Sequence, residues 1–411
     1  MLADMPSVKE FERAFSRLAM IGRDPATGGC SRFAWTPEDR LVREWFTAAA
    51  AERSLATETD RNGNLWAWWG PLDGPAVVLG SHLDTVPAGG AYDGALGVVS
   101  AFLALDDLRA AGVRPRRPVA VVAFADEEGA RFGLPTCGSR LLTGALDPAA
   151  ALRRTDADGV DLEQALASFG VDPDGLGPDR ERVDRIGQFV ELHIEQGRGL
   201  AVLDAPLGVA TGIWPHGRWR LTLTGEPNHA GTTRLADRRD PTLPLSAAIV
   251  AARRLAEHGG AVATVGRILV EPNGTNAVPG QVTAWLDARA PDDGVLDWLV
   301  GDWSEEVRRA AAVERVHVEL VAESRSAAVT FDTALTDRVA GVLSAQGLSV
   351  PRLATAAGHD AGALAAVVPA AMLFVRNPTG VSHSPAERAD PADCVSGVSV
   401  LAAVIEELAC R

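Results

Sequence analysis

The sequence predicts an α/β protein: a mixed, mostly parallel sheet sandwiched by helices, with a smaller βαββαβ unit inserted into it. Three observations point there. Strand-like and helix-like runs alternate through the first half and again near the end. The strand runs are continuously apolar, as in parallel strands covered on both faces. Between residues 213 and 330 the pattern changes to alternating strands in split-βαβ order. Residues 1–212 and 331–411 are therefore expected to form one domain and 213–330 a second.

Taken in order, Phe11, Phe15, Leu18 and Ala19 recur at helical spacing and predict a first helix. Asp4, Glu10 and Glu12 stand where a signal peptide would carry cations and an apolar run, so none is expected. Thr36-Pro37-Glu38 supplies a capping hydroxyl and a proline for the first turn of a second helix. Arg61-Asn62-Gly63-Asn64 is a turn between strand-like runs at 54–59 and 65–69. Buried strands follow at 76–80, 118–125 and 189–194, with a helix over 94–111 closed by Gly112. In the insert, strands at 219–224, 261–269, 281–288 and 315–321 and helices at 243–258 and 295–311 give βαββαβ. A helix at 332–346, a strand at 366–375 and a helix at 391–408 resume the first pattern.

Bulk properties narrow the function. Of 411 residues, 47% are hydrophobic and 23% charged, the proportions of a globular protein with ample core. A formal charge of −15 argues against nucleic acid, whose phosphates need a basic face. No apolar run reaches transmembrane length, so no membrane partner is expected. Cys30, Cys137, Cys394 and Cys410 are scattered. That suits reduced thiols in a cytoplasmic protein better than a disulfide framework or a thiolate metal site.

Six of the eight histidines sit in short segments rich in Gly, Asp and Glu, which points to metal. His82 and Asp84 follow directly on the 76–80 strand, at the end where open parallel sheets gather their sites. Two apart on an extended chain, they face the same way. Asp93 lies past Gly89 and Gly90 at the start of a helix, and reads as an N-cap, a metal ligand, or both. Asp126-Glu127-Glu128 puts three carboxylates at the mouth of a buried strand, where they repel one another unless cations are present. Alternation along a strand would send Glu127 and Glu128 to opposite faces, one to bind metal and one to accept a proton. His193 lies among apolar neighbours in a third strand, and His383 follows a fourth in Ser382-His383-Ser384-Pro385. Singly, these also read as capping, core or surface-turn residues. Gathered at the strand ends of one sheet, they predict a dinuclear site.

The segments HLDTVPxGGxxDG (82–94), DEEGxRF (126–132), ELHIEQG (191–197), NHAGTT (228–233), AGHDA (357–361) and GxSHSPxE (380–387) complete the pattern. Together they resemble the ureido and amidino hydrolase branch of the zinc-aminopeptidase-like metallohydrolases, over nearly the whole chain. That branch holds allantoate amidohydrolase, N-carbamoyl-L-amino acid hydrolase and β-ureidopropionase. The resemblance implies that Asp93 bridges two divalent ions, with His82 and His193 on one and Glu128 and His383 on the other. It makes Glu127 the general acid/base, with Asp84 in the catalytic set. Zinc is the first expectation, though manganese, cobalt or nickel suit the same ligands. Two divalent cations outweigh the two carboxylates, leaving a positive centre that polarises a carbonyl. Peptidases of the wider superfamily carry a carboxylate where this chain has His193, so His193 favours the ureido branch.

Substrate residues follow by the same resemblance. Arg289 is similar to the arginine that pairs with a substrate carboxylate, where a planar fork suits the contact. Asn276 and His229 resemble polar contacts to the substrate and its tetrahedral intermediate, His229 acting across a homodimer. Gln196 resembles a ureido contact and Gly358 a pocket wall, with His359 structural. His216 stands at a pocket position often held by Gln, and Arg234 where the family has Pro. The insert is implied to be a dimerisation and lid domain. The expected substrate is a small ureido carboxylate, allantoate first and an N-carbamoyl-L-amino acid next, releasing ammonia and carbon dioxide. An aminoacylase or aminopeptidase is the more distant alternative.

Overall fold

A computed structural model describes residues 7–71 and 73–410. Asp4, weighed above against a signal peptide, lies outside the described residues. The chain divides into two compact units, Met1–Gly212 with Thr330–Arg411, and Ile213–Val329.

The first unit opens with a helix, Val8–Ala19, which buries Phe11, Phe15, Leu18 and Ala19. Its start is a capping box: the Ser7 hydroxyl accepts the Glu10 N–H, and the Glu10 carboxylate accepts the Ser7 N–H. A second helix, Pro37–Glu52, begins where Thr36 accepts the Asp39 N–H. The strands of the large sheet are β1 (Ala56–Thr59), β2 (Leu65–Trp69), β3 (Ala76–His82), β4 (Val119–Phe124), β5 (Ile186–Ile194) and β6 (Leu207–Ile213).

The insert supplies β7 (His216–Thr224), β8 (Asn228–His229), β9 (Val262–Glu271), β10 (Ala277–Val278), β11 (Gln281–Arg289) and β12 (His317–Ser326). The return adds β13 (Val329–Thr330), β14 (Arg352–Thr355) and β15 (Ala370–Val375).

The large sheet runs β1-β2-β4-β3-β5-β15-β6-β13, with β14 beside β6. Its centre, β4-β3-β5-β15, is parallel, and these strands are almost wholly buried. The flanks are antiparallel, because β1 and β2 form a hairpin and β6 returns against β15. The fold class is therefore the expected mixed sheet, parallel where it matters for the site. A helix at Ala95–Ala110 packs on it so closely that a Cβ on Gly97 would lie 2.3 Å from the Leu192 carbonyl. Glycine there lets the helix rest directly on β5, beside His193.

Some elements were illegible in the text. Helices at Cys137–Thr143, Pro148–Leu152, Leu162–Phe169 and Arg180–Asp184 are too short for a clear period. With Trp35 and Phe132, the first three build a small core of their own. The strand expected at 366–375 starts only at Ala370, after a short helix at Asp360–Leu364 and Pro369.

The second unit is a four-stranded antiparallel sheet in the order β12-β7-β11-β9. Burial alternates strictly along β11, so one face packs against the helices Thr242–Gly259 and Asp293–Val313. Its chain order is βαββαβ. The short strands β8 and β10 pair separately, His229 opposite Ala277.

No helix among the described residues is long and apolar enough to cross a membrane. All four cysteines are free thiols, three of them buried.

Candidate metal centre

The site is built at the carboxyl ends of the parallel strands, where the ligating loops converge. His82 ends β3, His193 is the penultimate residue of β5, Glu127 and Glu128 follow β4, and His383 lies in the loop after β15. Asp93 sits between two clusters of potential ligand atoms: His82, Asp93 and His193 in one, Asp93, Glu128 and His383 in the other. One carboxylate oxygen of Asp93 lies 3.1 Å from His193 Nε2 and 3.4 Å from His82 Nε2. The other lies 3.4 Å from His383 Nε2, which is itself 3.6 Å from Glu128 Oε2.

Both inner imidazoles are oriented through their far nitrogens. His82 Nδ1 hydrogen-bonds the Asp84 carbonyl at 3.1 Å, and His193 Nδ1 the Ile194 carbonyl at 2.8 Å. Such bonds fix the tautomer and turn Nε2 towards the centre, where His193 Nε2 also lies 3.2 Å from the Gly94 N–H. Glu128 Oε1 is buried with no hydrogen-bond partner among the described residues, which suits an oxygen that completes a cation's shell. Gly94, at φ +66°, makes room for the His82 ring; a Cβ there would come within 2.5 Å of it. The donor set, three imidazoles and two carboxylates, fits two divalent ions.

The electrostatics agree. Burial raises the Glu127 carboxyl well above its usual range, against the pull of His82, with Asp360, Glu128 and Asp84 adding to the rise. Glu128 is pushed up to about 8 by burial and by Asp93. Burial works against charging the His82 ring, yet Glu127, Asp84 and Asp93 raise its pKa well above the ordinary value. Burial also opposes ionisation of Asp93, but hydrogen bonds from His193 and His82 hold its carboxyl well below normal. His82 and Glu128 thus hold protons more strongly than free groups at positions where a cation would otherwise be bound.

Two readings from the sequence need correction. Asp93 does not cap the following helix, which starts at Ala95 with Gly94 as its N-cap and no side-chain cap. Its carboxylate is drawn inward by the histidines instead. Glu127 and Glu128 do diverge, but not by strand alternation, because β4 stops at Phe124 and the chain bends through Asp126 at φ +54°. Glu127 Oε2 then lies 3.7 Å from His82 Nε2, whereas Glu128 Oε2 meets His383.

Asp84 does more than flank His82. Its two oxygens accept the backbone N–H groups of Glu127 at 3.1 Å and Glu128 at 3.0 Å. Gln196 reaches the second cluster, its Nε2 lying 2.9 Å from Asp93 Oδ2 and 3.2 Å from His383 Nε2. Gly358 is exposed and precedes His359, whose buried ring packs edge-on against His193 at 4.5 Å between centroids. Burial and the neighbouring His193 hold the His359 pKa well below the ordinary value.

Sequence reasoning passed over Glu191, although ELHIEQG contains it. Both its oxygens are engaged, one by the Ser81 hydroxyl at 2.6 Å and one by the Ala361 N–H at 2.9 Å. It ties β3 and the Asp360–Leu364 helix to β5 beneath the site.

The remaining named residues lie in the second unit. His229 is exposed, and its Nδ1 accepts the N–H groups of Gly231 and Thr232, while the Asn276 carbonyl accepts the Ala230 N–H. Those contacts place His229 and Asn276 on one small platform. His216 and Arg289 face each other across β7 and β11. Burial, with Arg289 nearby, keeps the His216 ring neutral, and Nδ1 bonds the Trp214 carbonyl. Arg289 Nε donates to Asp287 at 3.0 Å. Arg234 pairs with Asp237 on the surface.

Comparison with known proteins gives the family. The description "Peptidase family M20/M25/M40" matches residues 78–407. An N-carbamoyl-L-amino acid amidohydrolase from Geobacillus stearothermophilus is 35% identical, over 97% of this chain and 98% of its own. An allantoate amidohydrolase from Escherichia coli (strain K12) is 33% identical, over 97% of each chain. The crystal structure of an amidase of the hydantoinase/carbamoylase family from Burkholderia multivorans superposes with a TM-score of 0.89 at 31% identity, covering 99% of each chain. The chain is a hydrolase of peptidase family M20/M25/M40, on the branch that contains the allantoate and N-carbamoyl-L-amino acid amidohydrolases.

Proposed function

We propose that the protein hydrolyses the ureido C–N bond of a small carboxylate-bearing substrate, with allantoate the first candidate. The observation that carries this is the single Asp93 carboxylate divided between two ligand clusters, with Glu127 beside the first. Two divalent ions held there, zinc first among them, supply an acidified water and a polarised carbonyl. His82 and His193 with Asp93 would hold one ion, and Glu128 and His383 with Asp93 the other.

In this reading Glu127 acts as general acid/base. It is buried, and its raised proton affinity suits it to take a proton from water and return it to the leaving nitrogen. Water thereby adds across the C–N bond, and the carbamoyl fragment leaves as ammonia and carbon dioxide. Asp84 holds Glu127 by its backbone. In this reading Gln196 meets the ureido group, Gly358 lines the pocket, and His229, Asn276, Arg289 and His216 serve recognition from the insert, Arg289 for the carboxylate. The insert would act as a dimerisation and lid domain in a cytoplasmic homodimer.

An N-carbamoyl-L-amino acid is the second candidate, because a relative of that name is 35% identical. The test is ammonia release from allantoate and from a panel of N-carbamoyl-L-amino acids, with and without chelator. Turnover of one class that chelator abolishes supports the proposal and names the substrate. Cleavage of acyl or peptide substrates alone would overturn it.

A further inference from the structure

One buried carboxylate at the centre has no part in the chemistry above. Glu387 lies four residues beyond His383, in the same loop, and is 6% exposed. Its Oε1 accepts two backbone N–H groups, those of Tyr92 and Asp93, each at 3.0 Å. Its Oε2 takes a weaker contact from the Ser382 hydroxyl at 3.4 Å. The fit is tight, since a Cβ on Gly90 would come within 2.2 Å of Oε1. A carboxylate is costly to bury unless its oxygens are satisfied. Here that satisfaction comes from the main chain of the very residue whose side chain is shared between the two clusters.

The arrangement has a mechanical consequence. Asp93 divides its oxygens between His193 on one side and His383 on the other. Its backbone is pinned by Glu387, and Glu387 belongs to the loop that also supplies His383. The His383 loop therefore fixes two things at once: its own imidazole and the angle of the shared carboxylate. We propose that Glu387 is a positioning residue that orients Asp93 through the Tyr92–Asp93 backbone and so sets the cation affinity of both sites together. This rests on the two-metal reading above.

The test reads cation binding rather than turnover. Metal-free wild type, Glu387→Ala and Glu387→Gln are titrated with zinc(II) against a chromophoric chelator, with circular dichroism to confirm folding. Glu387→Ala should weaken binding by about 10–100-fold, the usual cost of losing an outer-shell partner, and should do so for both ions. Glu387→Gln keeps an oxygen for Tyr92 and Asp93, so it should recover most of that loss. If Glu387→Ala does not fold, Glu387→Asp, one methylene short of both N–H groups, should show the same weakening.

A folded Glu387→Ala, or in its place a folded Glu387→Asp, with wild-type zinc affinity would overturn the proposal alone. So would a Gln variant as weak as the Ala variant, or as the Asp variant where Ala does not fold. Wild type that binds no divalent cation would overturn it together with the two-metal reading. Inactivity towards ureido substrates with intact zinc binding would touch only the substrate assignment.

Discussion

The Asp84 carboxylate accepts the backbone N–H of Glu127 at 3.1 Å through one oxygen and that of Glu128 at 3.0 Å through the other. The loop after β3 thus holds the loop after β4 by its main chain, where β4 has already ended and no sheet bond is available. Replacing Asp84 with Ala leaves two buried N–H groups unpaired and frees both glutamates. We expect kcat to fall by about 10–100-fold, with weaker metal binding. Steady-state kinetics and metal analysis on the same preparation check this; an Asp84→Ala enzyme with full turnover would refute it.

Glu127 and Glu128 should part company on substitution, although they are neighbours. Glu127→Gln preserves shape and removes the proton acceptor, so it should keep both ions and lose about 10²–10⁴-fold in kcat. Glu128→Gln should instead lose cation from the second cluster. Elemental analysis beside turnover distinguishes them. Equal metal loss in both variants would contradict this division of roles.

Asp93 and His383 should differ in stoichiometry. The Asp93 carboxylate faces both clusters, whereas His383 belongs to one and has a side chain 49% exposed. Asp93→Ala should therefore strip both ions, and His383→Ala one. Metal content per chain after dialysis is the measurement, and His383→Ala retaining two tightly held ions would refute the assignment.

The metal-free protein should lose stability as pH rises. A free carboxyl titrates at about 4.3, whereas Glu128 is pushed up to about 8 in the folded chain. Between those values the folded state keeps a proton that the unfolded chain gives up, so unfolding becomes easier as pH climbs through this window. Glu127, His82 and His193 are also raised and act with the same sign, the histidines from about pH 6.5 upward. Asp93, held low, opposes them only below its unfolded value of about 4, and His359 and His216, also held low, only below about 6.5. Thermal melts with chelator should show the midpoint falling from about pH 5 to about pH 8. Zinc displaces these protons, so its affinity should rise over the same range. A chelated protein whose midpoint is flat across that window would refute the account.

What the sequence determined by itself was local. Phe11, Phe15, Leu18 and Ala19 marked the buried stripe of the first helix because periodicity is a property of a few adjacent turns. Thr36 and Pro37 marked the second helix because a cap acts within four residues. The apolar runs at β3, β4 and β5 marked strands covered on both faces, and the residues following them showed where chemistry would gather. The resemblance then grouped His82, Asp93, Glu128, His193 and His383, and the structure brings their ligand atoms together.

Only the tertiary structure decided which atom faces which. Nothing near Asp93 in the chain says that its oxygens turn to different histidines, or that it declines to cap the next helix. The bend at Asp126, not strand alternation, separates Glu127 from Glu128. Glu387 meets Asp93 across 294 residues of chain, and Asp84 meets Glu127 across 43. Such contacts exist only once the sheet has fixed the order of its strands, because the loops at their ends are neighbours in space and strangers in sequence.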